Sequence, residues 1–422
     1  MKEIALGLFI TTYLLLLIFP KIRAFIALAS AAIFVTLGIL PAGQIFVAID
    51  WNVILMIAGT MGIVALFIDS KMPALMADVL IDRMPSVKWA TIALVLFAGI
   101  ISAFIDNVAT VLMVAPVALN IAKKLNSSPV PLIISISLTS NLQGAATLVG
   151  DTTSVLLGGH ANMNFIDFIF FHGKPGIFWA VQAGMAASTL VLLYIFRKNN
   201  TPIHLEEKET VEDFFPTVLL FGMVLLLILA SFIPGKPNIT NGVICTGLFL
   251  LGIIHNMLKN KDASAFKKKL REIDYFTILL LVGLFVVIGG IVEVGIVSDL
   301  SNIFNRIAGN NLFLIYTIIV WISVLFSAFI DNIPYVATML PVVAAISQEM
   351  GIEPYLLYFG LLSGATLGGN ITPIGASANI AALGILRKNG HTVSTLEFVK
   401  YGLPYTLTAV TVGYIFLWIV WR

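Results

Sequence analysis

The chain has 422 residues, 59% hydrophobic and 11% charged, with a mean hydropathy of +1.02. That is more apolar surface than one soluble core can bury, so lipid is the expected solvent and the expected fold is an all-α polytopic membrane protein. A net charge of +2, carried in short basic clusters, gives no ground for a nucleic-acid partner and leaves membrane lipid and a small ion or solute as the expected partners. The single cysteine, Cys245, permits no internal disulfide. The stretch after Lys2 lacks a small-residue cleavage site and reads as a retained helix, not a signal peptide.

A span needs roughly 20 apolar residues. Runs free of Lys and Arg fall at 4–19, 24–40, 51–68, 89–122, 131–158, 177–196, 214–233, 241–257, 275–298, 312–346, 355–385 and 402–421, room for about ten spans. Runs 89–122 and 312–346 are too long for one crossing and return the chain to its starting side, as re-entrant hairpins or as pairs of spans. The polar stretch Arg197–Asp213 divides the chain into an N-terminal unit (1–200), a cytoplasmic linker (201–213) and a C-terminal unit (214–422). The basic run Asn260–Arg271 reads as a cytoplasmic anchor, with anionic lipid binding as the other reading. With both termini outside, only Lys2, Lys174, Lys236, Arg306 and Arg422 of the 24 Lys and Arg residues lie on the outer face. The positive-inside rule requires such a bias in an inner-membrane protein, and the walk leaves no basic residue at membrane depth.

Two motifs recur in one register. Ser102–Val117 (SAFIDNVATVLMVAPV) matches Ser327–Val342 (SAFIDNIPYVATMLPV), and Gly144–Ser154 (GAATLVGDTTS) matches Gly369–Asn379 (GNITPIGASAN), both 225 positions apart. Asp50 and Gly59 match Asp274 and Gly283 at 224. Five single crossings separate each element from its counterpart, so corresponding segments run oppositely through the membrane, as in inverted-repeat transporters.

Asp106-Asn107 and Asp331-Asn332 lie near the middle of the two overlong runs. An ionisable group at that depth must face a cavity, a partner or an ion; were each run two full spans, the pair would sit in a surface turn. Segments 131–158 and 355–385 are each interrupted by helix-breaking residues: Gly144, Thr147, Gly150, Asp151, Thr152 and Thr153 in one, Asn370, Thr372, Gly375, Ser377 and Asn379 in the other. Unwound backbone at membrane depth must be buried or line a cavity, where freed carbonyls with Thr, Ser and Asn side chains suit a cation and helix N-termini suit an anion; close helix packing is the competing explanation for the small residues. Asp106, Asp151 and Asp331 are the acids expected deep in the membrane. With no Lys or Arg beside them, they imply coupling to a proton or metal cation. Asp69 and Glu293, also matched at 224, read as interfacial. The five histidines lack metal-ligand spacing, so no tightly bound metal is expected, and there is no GxxxxGK[ST] phosphate loop for ATP-driven pumping.

SAFIDNV with GAATLVGDTTS, and SAFIDNIP with GGNITPIGASAN, resemble the paired signatures of the ion transporter superfamily. That group includes ArsB-type arsenite permeases, NhaD-type sodium/proton antiporters, divalent-anion/sodium symporters and the melanosomal P protein. The Asp-Asn hairpins are most similar to the arsenite permease and P protein branch, whereas Gly150–Ser154 departs from the Gly-Asp-Pro-Pro-Asn pattern common in relatives. The resemblance implies a homodimer working as an elevator. Segments 4–68 and 214–298 would form a fixed scaffold, while 89–158 and 312–385 would travel with two re-entrant hairpins tipped by Asp106-Asn107 and Asp331-Asn332. A coupling Na⁺ would lie near those four residues, with no other cofactor.

The expected activity is therefore cation-coupled secondary transport of a small inorganic solute, arsenite or antimonite efflux or Na⁺/H⁺ exchange, and not an enzyme. A lysine-free, carboxylate-rich site suits cations and neutral hydroxides better than a dicarboxylate or citrate, the next reading. A passive channel and an intramembrane aspartyl protease follow; the repeat and the Asn beside each hairpin Asp have no role in the protease's chemistry.

Overall fold

An apolar chain in lipid satisfies its backbone within helices, and the computed structural model is helical almost throughout. It describes residues 1–124, 128–197, 210–211, 213–261, 269–309 and 311–422; most of the 201–213 linker and of the Asn260–Arg271 run lies outside them. In the first half the helices are α1 (Lys2–Ile18), α2 (Arg23–Thr36), α3 (Ile45–Ala48), α4 (Trp51–Asp69), α5 (Met72–Asp82), α6 (Val87–Ser102), α7 (Asn107–Lys124), α8 (Val130–Gly144), α9 (Thr152–His160) and α10 (Ile177–Ile195). A short antiparallel hairpin, β1 (Phe170–Phe171) with β2 (Lys174–Pro175), precedes α10. The second half holds α11 (Phe215–Ser231), α12 (Thr240–Asn260), α13 (Tyr275–Glu293), α14 (Ile296–Ala308), α15 (Leu312–Ser327), α16 (Asn332–Met350), α17 (Tyr355–Gly368), α18 (Ser377–Lys388) and α19 (Thr395–Trp421).

Among the described residues, 6 helices are long and apolar enough to cross a membrane, fewer than the expected ten. The difference lies in runs counted as single crossings: 131–158 and 355–385 are each divided between two shorter helices, α11 has 17 residues, and α1 and α2 meet at a bend. The run 89–122 is α6 and α7, cut where Asp106 Oδ1 accepts the N–H groups of Val108 (3.0 Å) and Ala109 (3.2 Å). The run 312–346 is α15 and α16, cut where Asp331 Oδ1 accepts Ile333 N–H at 3.1 Å. Each acid caps the helix it begins, satisfying backbone donors that would otherwise be orphaned. Runs 131–158 and 355–385 divide into α8 with α9 and α17 with α18. α1 turns into α2 through 109° at Pro20.

The two halves pack alike. α4 lies along α12 and α13 along α2; α6 lies along α8 and α15 along α17; α10 and α19 lie against each other. Asp50 caps α4 through Val53 N–H (3.0 Å) as Asp274 caps α13 through Thr277 N–H (3.1 Å). Asp69 and Glu293 part company, however: Asp69 pairs with the buried Lys269, whereas Glu293 is exposed.

The breaks are clasped by one bond pattern made twice. Ser102 Oγ donates to Ser140 O (2.9 Å) and Ser327 Oγ to Ala365 O (2.5 Å), while Thr147 and Thr372 hydroxyls donate to the carbonyls of Ala103 and Ala328. Gly150 then sits flush against the turn: a methyl group there would lie 2.8 Å from Gly144 O and 2.9 Å from the Ala103 and Ser102 oxygens. At Gly375 the same three positions, Gly369, Ser327 and Ala328, stand at 2.6, 2.7 and 2.9 Å. Only a residue without Cβ fits where two backbones approach so closely. Gly150→Ala should accordingly lower stability by ~1–3 kcal/mol through overpacking, read as a fall in the thermal midpoint of the detergent-solubilised protein. Gly222→Ala, with nothing within 4 Å, should leave the midpoint unchanged or slightly raised.

Candidate functional site

Four helices begin at one cavity of about 350 Å³. Their first residues, Asn107 of α7, Thr152 of α9, Asn332 of α16 and Ser377 of α18, all line it, together with Asp106, Val108, Ala109, Leu112, Asp151 and Ile333. The facing wall is Met61, Val64, Ala65 and Ile68 of α4, Glu272, Asp274 and Thr277 at the start of α13, and Arg23 at the start of α2. Each helix N-terminus carries roughly half a positive charge, so the breaks concentrate positive potential where the acids lie. A larger cavity of about 620 Å³ lies elsewhere, around Asp50, Asn52, Lys236 and Asn241, and is lined by none of the substrate- or ion-binding candidates.

Asp151 is 4% exposed, and its Oδ2 accepts Thr153 Oγ1 at 2.7 Å and Asn332 Nδ2 at 3.2 Å, tying the first broken helix to the second hairpin tip. The first tip is tied to the other half through amides. Asn107 Nδ2 donates to Asn141 Oδ1 (2.8 Å), and Asn141 Nδ2 donates to Asn370 Oδ1 (2.7 Å) and Asn379 Oδ1 (3.0 Å). Asn370 donates on to Leu138 O (2.8 Å), and Asn379 to Gly369 O (2.9 Å) and Thr372 O (3.0 Å). Every member is buried, and a buried amide network fixes position only when its donors and acceptors are matched, as here.

Of the residues singled out from the sequence, Asp106, Asn107, Asp151, Thr152, Asn332 and Ser377 line the cavity, and Asp331 sits at its edge. Thr147, Gly150, Thr372 and Gly375 do not; they form the clasp, and Thr147 and Thr372 bond the carbonyls expected to be free for a cation. Thr153, Asn370 and Asn379 stand behind the wall as supports. The expectation that no cation approaches the acids is also corrected. Arg23 Nη1 meets Asp331 Oδ2 at 2.5 Å, the two side chains 15% and 16% exposed, and Ser377 Oγ adds a 3.3 Å bond to the same oxygen. The 109° turn at Pro20 leaves Arg23 at the start of α2 beside the second tip, where a count of residues between charges had left it in a loop. Asn141 and Asp274 were missed as site residues. Asn141 precedes the Gly-Thr motif among the Ser, Thr and Gln residues of α8, and Asp274 was visible only as the match of Asp50. Among the described residues, no group of three His, Cys, Asp or Glu side chains is placed to hold a metal ion.

Helices broken at a shared polar cavity define a membrane transporter, and the comparisons agree. A sequence profile for citrate transporters (CitMHS) matches residues 13–361. The chain belongs to this citrate transporter family, within the ion transporter superfamily, and is a multi-pass membrane transporter. It is 31% identical to an uncharacterized transporter of Mycobacterium tuberculosis, over 99% of this chain and 98% of that one. It is also 26% identical to the mouse P protein, over 93% of this chain and 56% of that longer protein. Its fold is shared with the YdaH transporter of Alcanivorax borkumensis (TM-score 0.65, 15% identity, 92% of this chain and 88% of that one) and with MtrF of Neisseria gonorrhoeae (0.55, 15%, 88% and 80%), the latter described as illuminating a class of antimetabolite efflux pumps.

The Arg23–Asp331 pair is testable in solution. Arg23→Ala strands a carboxylate with little water and should cost up to ~3 kcal/mol. Arg23→Ala with Asp331→Ala should cost less than the sum of the two single changes by ~1–3 kcal/mol, read from thermal midpoints and from chemical denaturation of the purified protein.

Proposed function

We propose that this protein is a cation-coupled secondary transporter whose substrate and coupling ion bind in the cavity between the two Asp-Asn tips. One observation carries the reading: both tips, both broken helices and the only guanidinium among the cavity's described lining residues meet at a single space. Asp106, Asp151 and Asp274 line it beside Glu272, which is matched by Lys269; Asp331 is matched by Arg23, and Asp106 and Asp331 each spend one oxygen on capping a helix. The remaining acidic excess favours a proton, Na⁺ or a neutral hydroxide over a free multivalent anion. Arsenite or antimonite efflux, or Na⁺/H⁺ exchange, is the substrate class we favour.

A citrate or dicarboxylate symporter is the second reading, supported by the family's name, by Arg23 and by the four helix N-termini at the cavity, which suit a carboxylate. The aspartyl protease reading fares worse, since its chemistry needs two carboxylates sharing a proton, whereas Asp331 is matched by a guanidinium. The repeated packing and matched caps support two halves of inverted topology, with α1–α4 and α11–α13 as scaffold and the hairpins and broken helices as the moving part, operating as a homodimeric elevator. On the positive-inside orientation both termini lie outside the inner membrane, and the 350 Å³ cavity belongs to an inward-facing state, because Arg23, Glu272 and Asp274 stand at the cytoplasmic ends of their helices.

The test is uptake by proteoliposomes offered arsenite, ²²Na⁺ against a pH gradient, citrate and succinate, with and without imposed H⁺ and Na⁺ gradients. The favoured reading predicts gradient-driven movement of arsenite or Na⁺, falling at least tenfold in Asp106→Asn. Accumulation of citrate that is lost in Arg23→Gln would favour the second reading, and flux indifferent to both gradients would remove coupling altogether.

A further inference from the structure

The two halves make the same scaffold but hold the hairpins differently against it, and that difference defines a second docking position. Gly59 of α4 lies flush against the Cys245–Thr246 backbone of α12, as Gly283 of α13 does against Ala27–Leu28 of α2; Gly252 meets Leu66 as Gly290 meets Phe34. These contacts pair 27 with 245, 28 with 246 and 34 with 252, so the position of Arg23 on α2 is held on α12 by Asn241.

The cavity wall tells the same story. Met61, Val64, Ala65 and Ile68 face the first hairpin over residues 106–112. Their counterparts Phe285, Ile288, Gly289 and Val292 line a second cleft of about 250 Å³, with Asp50 where the first cavity has Asp274. Opposite them stand Ala337, Leu340 and Pro341, on the flank of α16 and not at its tip. In the first half's register, 106–112 corresponds to 331–337. The same scaffold strip is thus met about five residues further along the hairpin helix, ~7 Å at 1.5 Å per residue. Two copies held in unlike positions on like surfaces can exchange positions, and in an inverted repeat the exchange gives the state open to the opposite face.

We propose that Lys236 and Asn241 form the station that receives the Asp106 tip in that opposite state, as Arg23 receives Asp331 in this one. Asn241 is no cation, but it is 6% exposed and its Oδ1 accepts Lys236 Nζ at 3.2 Å, which brings an ammonium to the place a guanidinium holds in the other half. Lys236, Asn241 and Asp50 line the 620 Å³ cavity, so there is room for a tip to enter. In the exchanged state Asp106 leaves Asp274 for Lys236, and Asp331 leaves Arg23 for Asp50. The inference rests on the alternating-access reading above.

The experiment uses the full chain with Cys245→Ala in membrane vesicles, and probes Val108→Cys, the counterpart of Ile333 beside Arg23. A membrane-impermeant maleimide applied to right-side-out and inside-out vesicles should modify Val108→Cys from both faces. A short bismaleimide should link Val108→Cys to Asn241→Cys, with yield cut at least fivefold by Lys236→Glu and kept by Lys236→Arg. Modification from both faces with no cross-link, or a cross-link indifferent to Lys236→Glu, overturns the station while leaving alternating access standing. Modification from one face alone overturns alternating access and the station with it.

Discussion

A helix interrupted inside hydrocarbon leaves carbonyls and N–H groups that no water reaches, and each one left open costs several kcal/mol. This protein interrupts four long apolar runs, and everything distinctive about it follows from how those ends are closed. Serine and threonine hydroxyls of one break donate to the carbonyls of the next, the hairpin acids accept the first N–H groups of the helices they begin, and Gly150 and Gly375 let the two backbones touch. The closure leaves the helix N-termini pointing into a common space, and that space is the candidate site.

The charges in the site are divided unequally between otherwise similar halves. Asp331 has a guanidinium and Asp106 has none; Asp151 occurs only in the first half, where the second has Ala376. Asn141 reaches across to Asn370 and Asn379, while its counterpart Thr366 stands 3.2 Å from Thr153. A strictly symmetric site would treat its two entrances alike. The asymmetry gives one half a fixed counter-charge and leaves the other with acids that no guanidinium matches.

Much of this could be read from the residues. The recurrence of SAFIDN located both tips, and the Gly-Thr interruptions located both broken helices, because helix-breaking residues in an apolar run have few structural explanations. Side-chain direction was not legible: Thr147 and Thr372 look identical on paper to cavity hydroxyls, yet turn inward to hold a carbonyl. Nor was Arg23, whose role depends on the bend at Pro20 and on a contact 308 positions away. The number of full-length spans differs because 131–158 and 355–385 are divided into helices shorter than a crossing, which the length of an apolar run does not reveal.

The central claim is that two tips distant in sequence share one cavity inside the membrane, and the distance between them tests it most directly. Nitroxide labels at Val108→Cys and Ile333→Cys, in the Cys245→Ala background and reconstituted in lipid, should show strong dipolar broadening, placing the labels far closer than the ~30 Å thickness of the hydrocarbon core. A separation equal to that thickness or more would put the tips in turns at opposite surfaces and contradict the account.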